Sequence, residues 1–344
     1  MRAVRPRTSP SACGASARER SARSKTSSSS SAARKAAISA KKTARVGVMG
    51  ATMLSADQVE KLRQLALTRA RSEQFDEALV LYDEALALVA DDEQRELITI
   101  NKADALIASG RSGPEVASLP SILMRRRNPH HTFLAAYALM FQHRTENNIR
   151  RAIVFGETAL RTARESNERW WIYAAVNDLG ICYETDSQFA KAIECHEQAL
   201  ELAAELIDPS ERTLSESITL GNLGYNKLLV GETNEGLAMI HRALESIEIP
   251  SSICDLHIDL CYGYLELKDH ARARKYGEIG LQLSAEPRQV RNAHYLLGEA
   301  AYEMGDLEGA EYHFDELTKF YPQFRNLKKL LFAIDLRSMV NLRL

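Results

Sequence analysis

Long apolar runs are missing from this 344-residue chain. With no stretch of about eighteen apolar residues and no apolar segment near the N-terminus, neither a membrane span nor a secretory signal is expected. Cysteine is scarce: Cys13, Cys182, Cys195, Cys254 and Cys261 are odd in number and form no C-x-x-C pair. That argues against a disulfide framework and fits reduced thiols, so the expected compartment is the cytoplasm. A Walker loop, a Rossmann glycine fingerprint, a nucleophile elbow and an H-E-x-x-H helix are all absent, which removes the usual signatures of enzymatic chemistry. No cofactor, metal or catalytic residue is expected. Tryptophan occurs twice, as Trp170-Trp171, with no interleaved basic residues of the kind that build a base-stacking platform. Nucleic acid and membrane are therefore not expected partners.

Charge is present but unevenly placed. Residues 1–48 hold twelve Lys and Arg against the single acid Glu19, a net +11, which leaves −13 on the rest of the chain against the total of −2. This head is rich in Ser and Ala and lacks apolar periodicity, so residues 1–52 are expected to be disordered. Three readings compete for it: an organelle transit peptide, a basic arm for nucleic acid or acidic surfaces, or upstream sequence preceding a true start at Met49 or Met53. The first would move the protein from the cytoplasm into an organelle.

What the remaining sequence has is a period. Leu297-Gly298, Gly305-Asp306-Leu307, Ala310, Phe314 and Pro322 form one unit, and Leu179-Gly180, Tyr183, Phe189, Ala192 and Ala199 repeat its spacing upstream. Ala78, Ala152, Ala192, Gly236, Ala273 and Ala310 mark the register at intervals of 74, 40, 44, 37 and 37 residues. The long first interval holds two units. Its hidden member, at about 96–128, is degenerate, because Ser112-Gly113-Pro114 interrupts the expected second helix. Units of this length read as two antiparallel helices whose small residues permit close approach. Gly110, Gly231 and Gly305 stand where a first helix must end, and Pro129, Pro209, Pro250, Pro287 and Pro322 fall between units.

These recurring positions resemble the tetratricopeptide-repeat family over about residues 56–322, and the long intervals look like its longer-repeat branch. The resemblance implies an all-α fold, a right-handed superhelical solenoid of about seven helix pairs. Residues 323–344, with Leu327, Leu330, Leu331, Ile334 and Val340 at helical spacing, would supply a C-terminal capping helix. That helix is apolar over a wide arc, so it also offers a face for homodimerisation.

The family resemblance further implies a non-enzymatic scaffold or adaptor that holds a peptide of another protein in a concave groove lined by first helices. The alternative it implies is a regulatory sensor of a bacterial signalling or transcription pathway. Mapping the register gives Tyr137, Phe141 and Arg144, then Asn177, Ile181 and Glu184, as groove residues. Tyr225 and Leu228, Tyr262 and Leu265, and finally Tyr295, Glu299 and Tyr302 continue the series. The expected partner is apolar or basic rather than acidic, since the groove residues include carboxylates and the body is negative.

Other constellations have structural explanations. Cys254, His257 and Cys261 share a helical face, but Cys261 occupies the repeat's small site, where it acts as a small hydrophobe. His130-His131 and Cys195-His196 are sequence neighbours pointing to different helix faces. Trp170-Trp171 is expected to pack on the preceding second helix.

Overall fold

The computed structural model describes residues 56–322 together with Arg325. The basic head (1–52) and the closing helix (323–344) fall outside these residues, Arg325 excepted. Among the described residues every regular element is a helix. In chain order they are α1 (Ala56–Arg71), α2 (Phe75–Leu88), α3 (Asp92–Ala108), α4 (Pro114–Arg125), α5 (Pro129–Thr145), α6 (Ile149–Ser166) and α7 (Arg169–Thr185). There follow α8 (Phe189–Ala204), α9 (Pro209–Leu229), α10 (Thr233–Leu244), α11 (Pro250–Glu266), α12 (His270–Leu283), α13 (Pro287–Glu303) and α14 (Leu307–Phe320).

The chain divides into two compact units, with the boundary between Ala105 and Leu106. The smaller unit packs Val59, Ala66, Ala78, Tyr82, Ala85, Ile98 and Ala105 into one core. Its buried Arg63 donates to Asn101 at 3.0 Å and is neutralised by Glu60. The larger unit is a helical solenoid in which α5, α7, α9, α11 and α13 are first helices of successive pairs. Each first helix packs on its own second helix, on the second helix before it and on the neighbouring first helices. Among the described residues of the larger unit, each second helix packs chiefly on first helices.

Turn chemistry sets where each pair reverses. All seven turns within a pair hold one residue at positive φ: Glu73, Gly110, Asn147, Ser187, Gly231, Lys268 and Gly305. The next backbone N–H then returns to the carbonyl five residues back, as from Arg111 to Leu106 (2.8 Å) and from Gln188 to Tyr183 (2.8 Å). This left-handed cap satisfies carbonyls that the ending helix leaves open. Glycine supplies it at three turns only. Asn128 and Asp208 cap the starts of α5 and α9 by accepting from the second and third backbone N–H groups.

Proline acts differently from the sequence expectation. Pro129, Pro209, Pro250 and Pro287 each open a first helix, where the missing N–H costs nothing. Pro114 likewise starts α4, so Ser112-Gly113-Pro114 is the turn inside the degenerate pair, not a break in its second helix. What is degenerate is the packing stripe. The buried residues of α4 are Val116, Leu119 and Ile122, without the small residues used by the other second helices.

Those stripes follow an i, i+4, i+7 rule: Ala152, Gly156, Ala159 on α6; Ala192, His196, Ala199 on α8; Gly236, Ile240, Ala243 on α10; Ala273, Gly277, Gly280 on α12. The middle position exchanges volume with the first helix of its own pair. A Cβ on Gly156 would meet Met140 Sδ at 2.7 Å, and one on Gly277 would meet Cys261 Sγ at 3.0 Å. In the other two pairs the glycine moves across: a Cβ on Gly180 would stand 2.6 Å from the His196 ring, and one on Gly224 2.7 Å from Ile240. One large and one small residue fill each crossing, which keeps the interhelical gap constant at close packing. At α9 and α10 two glycines face each other, with a Cβ on Gly236 lying 2.6 Å from the Gly224 carbonyl oxygen.

Candidate functional site

The first helices of the larger unit meet along a polar seam. Tyr137 of α5 donates its hydroxyl to Asp178 of α7, and Arg144 approaches the same carboxylate at 3.9 Å. Asn177 Oδ1 accepts from Thr219 (3.5 Å) and from Asn222 Nδ2 (3.4 Å) on α9. Asn226 Nδ2 donates to Glu184 Oε2 at 2.7 Å and to the Asn222 carbonyl at 2.9 Å. Further along, Arg288 Nη2 lies 2.9 Å from both oxygens of Asp255, while Gln289 Nε2 donates to Asp255 Oδ1 at 3.1 Å. Burial makes these pairings obligatory, since an unmet polar group in such a place costs about 1–3 kcal/mol.

Several expected groove residues belong to this seam: Tyr137, Arg144, Asn177 and Glu184, while Tyr295 donates to Glu299 at 2.8 Å within α13 itself. Others do not reach the surface. Tyr225, Leu228 and Leu265 are 0%, 2% and 0% exposed and, with Tyr262, form part of the main core. Their register was right for a first helix, but neighbouring pairs cover them on every side. Phe141, Ile181, Arg144 and Tyr295 are half-buried, and Tyr302 is exposed. The Arg144 guanidinium sits 5.2 Å over the Phe141 ring.

Seam residues that sequence reading passed over are Asp178, Asn222, Asn226, Asp255, Asp259, Arg288 and Gln289. A signal did exist for three of them. Asp178, Asn222 and Asp259 each stand directly before the leucine of a Leu-small pair, and all are buried.

The remaining constellations resolve into packing. Cys254 Sγ donates to the Gly280 carbonyl at 3.2 Å, Cys261 faces Gly277, and His257 stacks on Tyr276 at 5.8 Å. Burial pushes the thiols of Cys182 and Cys254 up to about 12 and that of Cys195 to about 11, so they stay protonated and weakly nucleophilic. Among the described residues, no three His, Cys, Asp or Glu side chains gather as a metal site. Trp171 stacks on His130 (4.9 Å) and Phe133 (4.8 Å) of α5. Its partner is therefore the preceding first helix, not the second helix expected, because first helices lie side by side. His196 is fully buried against Gly180. No described helix is long and apolar enough to cross a membrane.

No protein-family model matches the sequence, and no curated protein matches it. Solved structures match by fold. The apo form of the quorum sensor NprR from B. thuringiensis aligns with a TM-score of 0.63 at 14% identity, covering 83% of each chain. A Rap protein complexed with Competence and Sporulation Factor aligns at 0.62 and 14% identity, covering 82% of this chain and 79% of that one. A tetratricopeptide repeat protein from Parabacteroides merdae aligns at 0.50 and 14% identity, with 83% of this chain and all of that chain covered.

Proposed function

We propose that this tetratricopeptide-type solenoid is a non-enzymatic scaffold that holds a peptide segment of another protein against its first helices. The observation that carries the reading is the accessible part of the first helices: Phe141, Ile181, Tyr295 and Tyr302 remain open to solvent beside the buried polar seam that joins those helices. Aromatic rings supply contact area at low entropic cost. Support also comes from two fold neighbours, a Rap protein solved with Competence and Sporulation Factor and NprR solved with its cognate peptide NprX. The net charge of −13 outside the basic head favours an apolar or basic segment over an acidic one.

A photo-crosslinking residue at Ile181 or Tyr302, exposed to the native host's proteins, tests this. Crosslinks to one partner segment, lost when Tyr302→Ala and Phe141→Ala are combined, are expected. Crosslinks confined to the second helices, or an acidic ligand abolished by the same pair of changes, would refute the groove or its preference.

The quorum-sensor neighbour favours a second reading, a regulatory sensor in which peptide binding at the same face alters contacts with a signalling protein. A cytoplasmic setting accords with either. Homodimerisation through residues 323–344 is part of the proposal, and a sedimentation mass that stays monomeric at high concentration would remove it.

A further inference from the structure

Arginine is distributed unevenly over the second helices. Several exposed cations elsewhere are paired: Arg169 with Glu205, Arg272 with Asp269, Arg274 with Glu278 and Lys319 with Glu316. Just after α4 and on α6, the exposed Arg127, Arg150, Arg151 and Arg161 form no ion pair among the described residues. The nearby acids are engaged. Glu165 meets Arg126 at 3.3 Å and Glu157 accepts from the Tyr183 hydroxyl at 3.1 Å.

The Arg126–Glu165 contact places the end of α4 beside the end of α6, with Arg127 one residue past it on one side and Arg161 one turn before it on the other. Arg150, Val154 and Arg161 fall on one outer stripe of α6, about 16 Å long from end to end. Two large apolar side chains are exposed within this basic surface, Met124 at 84% and Val154 at 58%.

Fold stability does not account for the arrangement. Arginines at a helix C-terminus complement the helix dipole, but Arg150 and Arg151 occupy the first turn of α6, which contains no acid. There a positive charge opposes the dipole, at about 0.3–1 kcal/mol each.

We propose that the outer face of α4 and α6 docks an acidic, amphipathic segment of a partner protein. Its carboxylates would meet Arg127, Arg150, Arg151 and Arg161, and its apolar side chains would cover Met124 and Val154. Guanidinium forks suit carboxylates in paired geometry, and the exposed apolar groups give a protein partner something to bury. A long polyanion fits less well, because outside the head the chain carries −13. This surface is separate from the first-helix seam.

The test uses the full chain and a fluorescent helical peptide with Glu and Leu at helical spacing, at about 0.15 M salt. Competitors are a Lys-for-Glu version, single-stranded oligothymidylate and phosphatidylserine vesicles. Binding of the Glu peptide alone is expected, weakened by at least about tenfold in Arg150→Glu/Arg161→Glu and by less than about twofold in the charge-matched control Arg242→Glu/Arg274→Glu. Arg150→Glu by itself should raise the melting temperature while lowering affinity, which separates lost docking from lost folding. The same peptide should also bind Tyr302→Ala with unchanged affinity. Absent binding, equal loss in the control, or preference for the oligonucleotide or vesicles overturns the proposal.

Discussion

α11 and α12 belong to one pair and lead opposite lives. Eleven side chains of α11 are buried, including Asp255 and Asp259, whereas α12 buries only Ala273, Gly277 and Gly280. The first helix is enclosed by α9, α10, α12 and α13, while the second packs chiefly on α11 and α13. The same contrast runs through the larger unit. It teaches that second helices carry the spacing of the stack and first helices carry its polar specificity. Small residues on the outer layer let inner helices come close enough for side chains such as Asn177 and Asn222 to bond across pairs.

The sharpest way to break this division of labour is to thicken a crossing. Gly236→Ala places a methyl 2.6 Å from a backbone carbonyl that cannot rotate away, so a loss of about 2–3 kcal/mol is expected in urea unfolding, despite alanine's better helix propensity. Gly180→Ala is next. Its methyl meets the His196 ring, and destabilisation by about 1–3 kcal/mol should be relieved in Gly180→Ala/His196→Ala. A double-mutant cycle without coupling would show that the two sites do not share one volume.

On the seam side, Asn226→Leu removes a donor from the buried Glu184. A cost of about 1–2 kcal/mol is expected, with little change for the exposed α8 substitution Gln198→Ala. Equal costs would mean that the seam is no more demanding than the outer layer.

A smaller effect comes with pH. His294 and His313 meet Nδ1 to Nδ1 at 2.9 Å, an arrangement that requires one nitrogen to be bare. Burial, followed by the neighbouring His294 and Arg274, lowers His313 to about 4. The folded-state value is below the unfolded one near 6.5, so the unfolded chain takes up more protons between these limits. Stability is full above about 6.5 and falls as pH drops toward 4. After allowance for screening at a half-buried ring, about 1 kcal/mol should disappear on acidification, and His313→Gln should flatten the melting-temperature profile. The smallest expected change is a gain: Ser187→Gly and Lys268→Gly, both at positive φ, should each add about 0.5 kcal/mol.

Much of this was legible in sequence, and the reason is local. The register Ala78 to Ala310 located six second helices, because a small residue is needed at every crossing and no distant residue replaces it. Gly110, Gly231 and Gly305 located three turns, but Glu73, Ser187 and Lys268 adopt the same conformation with no glycine to announce it. The groove was less legible. Tyr225 and Tyr302 occupy first helices with similar local surroundings, yet one is fully buried and the other is 41% exposed. Periodicity marks a face only where one side of a helix is exposed, and α5 buries ten consecutive residues from His131 to Met140.

The amino-acid order by itself determined that the chain folds as helix pairs, where most of them reverse, and which small residues set their spacing. Those features depend on contacts within one pair and on backbone conformation. Tertiary structure decided which first-helix side chains meet one another and which remain open to a partner. Such contacts join residues about forty positions apart, as Glu184 meets Asn226, and arise only when neighbouring pairs have stacked.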